Sequence, residues 1–205
     1  MSSKLRLKAN LVTYKTNAIQ NLKRVLENSM FSTMGVMIES ISSSVSLLSE
    51  EQMNLGVVVA DIGGGTTDLI VLKNGTIKGI AEIPMGGILI RQKIQQLFKV
   101  TEKEAEWLKV NYGVCDPHLL CDPDEVIRIE RTHTMQPKII LRRELCSLIQ
   151  NITAQILMFC KTAIEQYIDW EDLYECGIII TGGTSKMAGI VELARDCMGL
   201  NVRVA

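Results

Sequence analysis

Residues 61–68 constrain the fold of this chain more than any other segment. They read Asp-Ile-Gly-Gly-Gly-Thr-Thr-Asp and lie between two apolar runs, residues 57–60 and 69–72. Apolar runs separated by glycines predict two buried strands joined by a turn. The N–H groups of consecutive glycines carry no obstructing side chains and bind anions, phosphate in particular. The carboxylates of Asp61 and Asp68 are oxygen ligands of the kind that hydrated Mg²⁺ takes. The alternative is an ordinary glycine-rich hairpin turn.

A second glycine turn follows a strand near the end of the sequence. Residues 177–180 are largely apolar, and Thr181-Gly182-Gly183 separates them from a helix predicted over 187–198. Glycines at such a point allow a flat ligand to approach the backbone closely. A turn of this kind is more often simple connectivity, so its interpretation depends on the first motif.

Strands and helices alternate along the rest of the chain, which predicts an α/β fold with a mixed sheet flanked by helices. Asn74-Gly75 predicts a type I′ turn, and Thr101 with Glu104 forms a capping box for a helix that Gly113 ends. The predicted strands outside the hairpin are 5–12, 35–38, 76–83, 126–131, 138–141, 177–180 and 201–205. The predicted helices are one from about residue 16 and those over 40–48, 86–98, 101–113, 142–168 and 187–198.

Composition excludes several functional classes. With 205 residues, 47% hydrophobic and 22% charged, the chain is large enough for one substantial domain or two small ones. A net charge of −1 without a lysine-arginine cluster gives no case for nucleic acid. No apolar run approaches the ~20 residues that span a bilayer. Six scattered cysteines without an export signal indicate a reducing, cytoplasmic environment.

The two glycine motifs carry a family resemblance. Residues 61–68 resemble the second phosphate loop of the actin-like ATPase superfamily, whose fold is ribonuclease H-like, and residues 177–187 are similar to its adenosine motif. Glu39 begins a segment similar to the one that precedes the phosphate loop in these proteins. The stretch 105–113 resembles a helix of the bacterial cell division family FtsA, and the resemblance to that family covers about residues 9–205.

The resemblance implies an ATP site with Mg²⁺ as its metal ion. Glu39, which orients the attacking water in the family, and Asp61 are the implied catalytic residues. Asp61 and Asp68 would hold Mg²⁺. The residues implied to bind the phosphates are Gly63, Gly64, Gly65 and Thr66, and those implied to bind the adenosine are Glu106, Lys109, Gly182, Gly183, Thr184 and Lys186.

The resemblance also implies a division of the chain. Residues 1–56 correspond to a remnant of the first actin-like half and 57–205 to the second half. Within the second half, 57–85 and 169–205 form the nucleotide-binding core, and a smaller α+β subdomain is inserted over 86–168. The sequence has no earlier aspartate-glycine phosphate loop, no extra small subdomain and no C-terminal amphipathic helix. We therefore expect a fragment with an incomplete first half, weak ATP binding, and hydrolysis that is weak or absent.

The implied partners are those of the FtsA family. FtsA links the tubulin-like protein FtsZ to the division machinery at the inner face of the cell membrane and self-associates into filaments. Without the anchor helix, we expect this chain to reach a membrane only through a partner. The alternative is a catalytically inert actin-like assembly or scaffold module, such as a pilus, microcompartment or rod-shape relative, without ATP turnover.

The cysteines allow one competing interpretation. Cys115, His118 and Cys121 have a C-x-x-H-x-x-C spacing that could supply zinc ligands. The spacing does not match known zinc fingers and lacks a fourth ligand. Loop cysteines beside prolines are the simpler interpretation, and Cys160 and Cys197 are predicted to pack in the core.

Overall fold

The computed structural model describes residues 13, 15–129 and 137–205. The chain separates into two compact units, Met1–Glu39 and Ser40–Ala205. The division predicted after residue 56, which follows from the resemblance, stays a prediction. The strand predicted over 5–12 lies outside the described residues.

The first unit contains helix α1, Thr16–Asn28, which begins where the sequence predicts. Its N-cap is Lys15, which makes no side-chain capping hydrogen bond. The sequence also predicts that the Thr16 hydroxyl caps this helix, and that prediction is wrong because Thr16 is already the first helical residue. None of the residues of α1 is buried. The strand predicted over 35–38 is also wrong. Met34, Val36 and Met37 are exposed there, and a strand needs a partner for its backbone groups.

The second unit is built on a five-stranded mixed sheet in the order β3-β2-β1-β6-β7. Strands β1 (Val57–Ile62), β2 (Thr67–Lys73) and β3 (Thr76–Ile83) form an antiparallel meander, as predicted. Strand β6, Ile178–Thr181, pairs parallel to β1, and β7, Val202–Val204, pairs parallel to β6. Asn74 and Gly75 both have positive φ, of 55° and 63°, which confirms the predicted type I′ turn.

Both faces of this sheet are buried. Alternate residues of β1 enter different cores because successive side chains of a strand point to opposite faces. Val58, Ala60 and Ile62 pack in the larger core, whereas Val57 and Val59 pack in the smaller one. The smaller core is closed by residues of helices α2 (Glu39–Leu47) and α3 (Glu50–Leu55). Helix α3 was missed by the sequence analysis, although Ser49 and Gln52 form a capping box that marks its start.

The larger core is covered by four helices. They are α4 (Gly87–Phe98), α5 (Glu102–Tyr112), α6 (Arg142–Ile164) and α7 (Ile190–Met198). The predicted capping box of α5 is present. Helix α6 ends before the predicted residue 168. The chain leaves the helix there because Tyr167 lies over Gly79 and donates from its hydroxyl to the Ile80 carbonyl at 3.3 Å.

A separate two-stranded sheet accompanies these helices. Strands β4 (Val126–Ile129) and β5 (Lys138–Leu141) pair antiparallel, as the sequence predicts. Buried Ile127, Ile129 and Ile140 join the larger core. Helix α7 starts three residues later than predicted, after a 3₁₀ turn over Gly183–Lys186. No helix among the described residues combines the length and apolar character needed to span a bilayer.

Candidate functional site

The turn between β1 and β2 rests on the first turn of α4. The Gly63 carbonyl accepts from the Gly87 N–H at 2.9 Å, and the Gly64 carbonyl accepts from the Ile88 N–H at 2.8 Å. In a planar trans peptide, a carbonyl and the following N–H point in opposite directions. The N–H groups of Gly64 and Gly65 therefore point away from α4. Neither donates a hydrogen bond to another described residue. Two free N–H groups on a concave turn can receive an anion.

The second glycine turn lies beside the first because β1 and β6 are parallel neighbours. Asp61 is in register with Thr181, so both strands end at the same edge of the sheet. Gly182 follows with φ 87° and ψ 175°, a conformation that only glycine adopts readily. A Cβ atom there would lie 2.4 Å from the Asp61 Oδ1 atom. The Thr184 hydroxyl crosses to the first turn and donates to the Gly63 carbonyl at 3.3 Å.

A pocket of about 390 Å³ opens where these elements meet. Helix α4 contributes its N-terminal end, and α5 contributes one face of its last two turns. The lining residues are Gly63, Gly64, Gly87, Glu106, Lys109, Val110, Gly113, Gly183, Thr184, Lys186 and Met187. The structure therefore brings together seven residues named from the sequence, namely Gly63, Gly64, Glu106, Lys109, Gly183, Thr184 and Lys186.

Some pocket residues were not expected from the sequence. Val110 lies four positions after Glu106 on the same helix face, so helical periodicity could have found it. Met187 and Gly87 are distant from α5 in the sequence. Their positions beside it depend on the tertiary fold, so sequence patterns could not place them in the pocket. Some residues named from the sequence do not line this pocket, namely Gly65, Thr66 and Gly182, which belong to the two turns, and Asp61 and Asp68, which belong to strands β1 and β2.

Lys109 provides the fixed positive charge of the pocket. Its Nζ atom is 2.8 Å from the Glu106 Oε2 atom and donates to the Gly87 carbonyl at 3.4 Å. The Lys109 side chain is 16% exposed. These contacts hold the ammonium group between α5 and the start of α4. The pocket thus combines backbone donors and one anchored cation with the apolar side chains of Val110 and Met187.

Two carboxylates face each other at the edge of the sheet next to the first turn. Asp61 and Asp68 are directly paired in the β1–β2 register, and the Thr66 hydroxyl donates to the Asp68 Oδ2 atom at 3.3 Å. Burial raises the pKa of the Asp61 carboxyl above its ordinary value of 3.8, and the nearby Asp68 carboxylate raises this pKa further. The folded chain therefore holds this proton more tightly than the unfolded chain does. The stability that follows is present below pH 3.8 and is lost as pH rises through the raised pKa.

This arrangement has a chemical consequence at neutral pH. Two ionised carboxylates in register repel each other, and a cation between them would relieve the repulsion. In the described part of the chain, no three acidic, histidine or cysteine side chains converge to hold a metal ion. The two carboxylates are oxygen ligands of the kind that hydrated Mg²⁺ takes, since Mg²⁺ keeps several of its waters.

Comparison with known proteins decides the family. The family model described as cell division protein FtsA matches residues 58–205. This chain belongs to the FtsA family. A cell division protein FtsA from Neisseria meningitidis serogroup B is 32% identical over 98% of this chain and 48% of its own length. The chain spans about half the length of the curated FtsA relatives that it matches.

Solved structures confirm the actin-like fold. MreB5 of Spiroplasma citri bound to ADP superposes with a TM-score of 0.76 at 21% identity. The match covers 94% of this chain and 61% of MreB5. The MamK double helical filament gives a TM-score of 0.69 at 16% identity, over 94% of this chain and 61% of MamK. The predicted mixed sheet flanked by helices is thus the actin-like sheet of an FtsA-family chain.

Two further residue predictions have different outcomes. Glu39 is the first residue of α2 and belongs to the other compact unit, so its role in orienting water stays a prediction. The zinc interpretation gains no support. Cys115 is buried against the Thr153 hydroxyl, and burial raises the pKa of its thiol to about 12, whereas Cys121 is exposed. Cys160 is buried as predicted, and Cys197 is half-buried.

Proposed function

We propose that this chain is an ATP-binding, actin-like cell division protein that acts as FtsA does. The observation that carries this proposal is the pocket where the β1–β2 turn, the α4 N-terminus, α5 and the second glycine turn meet. Membership of the FtsA family and the ADP bound to MreB5, a neighbour of this fold, support a nucleotide as its ligand.

Each part of the nucleotide has matching groups. The N–H groups of Gly64 and Gly65, beside Gly63 and Thr66, would receive phosphate oxygens. Hydrated Mg²⁺ would be held by Asp61 and Asp68, where it neutralises charge on the phosphates. The residues that would surround the adenosine are Glu106, Lys109, Gly182, Gly183, Thr184 and Lys186.

The side chains of the pocket wall suit both the ribose and the base of an adenosine. Glu106 and Lys109 offer an acceptor and a donor of the kind that ribose hydroxyls pair with. Val110 and Met187 supply apolar surface for a flat base, and glycine backbone at 183 leaves space beside it. Asp61 and Glu39 remain the proposed catalytic residues, on the basis of the family resemblance.

Replacing Lys109 with Met should lower the affinity for Mg-ATP about tenfold. The substitution removes a donor of charge-assisted hydrogen bonds, which contribute ~1.5–3 kcal/mol each, and leaves Glu106 as an unpaired charge in the pocket. Isothermal calorimetry with ATP and Mg²⁺ measures the change. The matched control is Lys103→Met on the exposed part of the same helix, which should bind as the unmodified chain does.

The calorimetry also separates the two functional candidates. An affinity equal in the Lys109→Met and Lys103→Met variants would show that this pocket does not hold the nucleotide. A chain that binds no nucleotide at all would favour the catalytically inert assembly module over an ATP-binding protein.

We also propose FtsZ as a partner, bound by the part of the chain predicted as the smaller subdomain. A groove of about 790 Å³ lies there between α4, β5 and α6. We call it the α4–α6 groove, and it is lined by Leu97, Phe98, Lys138, Ile139, Arg143, Glu144, Ser147, Leu148 and Asn151. Leu97 and Ile139 are each 57% exposed, and they are flanked by basic side chains. Exposed apolar side chains with a charged rim suit a protein partner.

Replacing Ile139 with Glu should weaken binding of purified FtsZ about thirtyfold. A buried interface carboxylate without a partner is costly, and truncation or replacement of a central apolar contact commonly costs ~2 kcal/mol. Val126→Glu is the control because Val126 is an exposed aliphatic residue on the neighbouring strand β4 and does not line the groove. Surface plasmon resonance gives both affinities. Equal weakening by both substitutions would contradict binding in the α4–α6 groove.

Assembly and location follow from the same proposal. Self-association into filaments is supported by the actin-like fold and by the filament in which MamK, a neighbour of this fold, was solved. In this scheme the chain works at the inner face of the cell membrane at the division site.

A further inference from the structure

One carbonyl joins the two glycine turns of the site. The Gly63 oxygen accepts from the Gly87 N–H at 2.9 Å and from the Thr184 hydroxyl at 3.3 Å. The first donor belongs to the start of α4, and the second comes from a turn 121 residues after Gly63 in the sequence. Thr184 is 8% exposed, and its Oγ1 atom lies 3.0 Å from where a Cβ atom on Gly87 would be. The hydroxyl is therefore confined between the first turn of α4 and the phosphate turn.

The two donors fix the direction of one N–H group. Because the peptide between Gly63 and Gly64 is planar, holding its oxygen also sets the orientation of the Gly64 N–H on the opposite side. That N–H donates to no other described residue, and Gly64 is one of the residues that line the pocket. A donor held in place before the ligand arrives loses less conformational freedom on binding.

We propose that Thr184 is a positioning residue for phosphate binding, through its hydroxyl bond to the Gly63 carbonyl. This inference rests on the proposed function and deepens it. Thr184 lies in the segment that resembles the adenosine motif, yet its hydroxyl donates to a carbonyl of the turn proposed to bind phosphate.

Thr184→Val tests this role because valine keeps the shape of the side chain and removes the hydroxyl. We expect the affinities for ADP and ATP to fall about threefold to tenfold, as loss of one hydrogen bond implies. The affinity for adenosine should change less than about twofold. Thr184→Ser keeps the hydroxyl and should restore ADP and ATP binding. Ser185→Ala is the matched control, since the Ser185 hydroxyl bonds only within its own turn, to the Gly182 carbonyl at 2.7 Å.

A second measurement decides the point without any nucleotide. In ¹⁵N–¹H spectra of the free protein, Thr184→Val should shift the Gly64 amide resonance, because the carbonyl of the same peptide loses a hydrogen bond, whereas Thr184→Ser and Ser185→Ala should not. Equal loss of adenosine and ATP affinity in Thr184→Val, or an unchanged Gly64 amide, would overturn the positioning role. If the unmodified chain bound neither adenosine nor ATP, the proposed function would fail, and the amide spectra would still decide whether Thr184 holds the turn.

Discussion

Replacing Gly86 with Ala should reduce the affinity for Mg-ATP about thirtyfold. A Cβ atom at this position would lie 2.6 Å from the Gly63 oxygen and 2.7 Å from the Gly64 oxygen. The φ of −167° is accessible to any residue, so the conflict is one of space. Either the turn or α4 must move, and the two bonds from Gly87 and Ile88 weaken together. Each bond contributes ~1 kcal/mol to holding the N–H donors of the turn in place. Losing both should reduce the free energy of Mg-ATP binding by ~2 kcal/mol.

Calorimetry on the Gly86→Ala variant provides the measurement, and thermal unfolding shows whether the variant remains folded. Pro84→Ala is a suitable control because Pro84 is exposed and lies in the same β3–α4 connection. ATP affinity that Gly86→Ala leaves intact in a folded variant would contradict the role of the α4 start in organising the turn.

Replacing Gly182 with Ala should lower the stability of the chain by about 3 kcal/mol. The backbone region that Gly182 occupies costs a residue with a side chain ~1–3 kcal/mol. The added Cβ would also lie 2.4 Å from the Asp61 Oδ1 atom and 2.6 Å from the Ile62 carbonyl oxygen, and overpacking of this kind typically costs ~1–3 kcal/mol. For a domain of this size, the melting temperature should fall by roughly 6–12 °C.

Gly183→Ala is a closely matched control for this effect. It is the same substitution one residue later, where an added Cβ would have no heavy atom within 4 Å. Differential scanning calorimetry of the two variants compares their stabilities directly. A melting temperature equally low in both variants would show that the cost does not arise from the contact with Asp61.

The elements that the sequence predicts best carry their own local signals. The β1–β2–β3 meander is bounded by glycines and by Asn74-Gly75, and its core residues form continuous apolar runs. Helix α5 is marked by its capping box. The C-terminal end of α6 was predicted less well, because it depends on a contact between residues distant in sequence. In this contact, Tyr167 packs over Gly79.

The sequence predicts the motifs of the candidate site, but it does not predict the hydrogen bonds that join them. The glycine turns and the pair of Glu106 and Lys109 could be named from motifs. The bond between the Thr184 hydroxyl and the Gly63 carbonyl could not be predicted, because it depends on the parallel pairing of β1 with β6. The same holds for the contact of the first turn with α4. The strand predicted over 35–38 is likewise wrong, since these residues are largely exposed and form no strand.

Helix α4 connects the pocket proposed to bind the nucleotide with the α4–α6 groove proposed to bind FtsZ. Its first turn holds the carbonyls of Gly63 and Gly64, and its last residues, Leu97 and Phe98, line the α4–α6 groove. A helix of 12 residues is a stiff rod about 18 Å long. A tilt of about three degrees at Gly87 would therefore displace Phe98 by about 1 Å. Ile90, Ile94 and Phe98 are buried in the larger core, so any such tilt would have to repack these side chains against their neighbours.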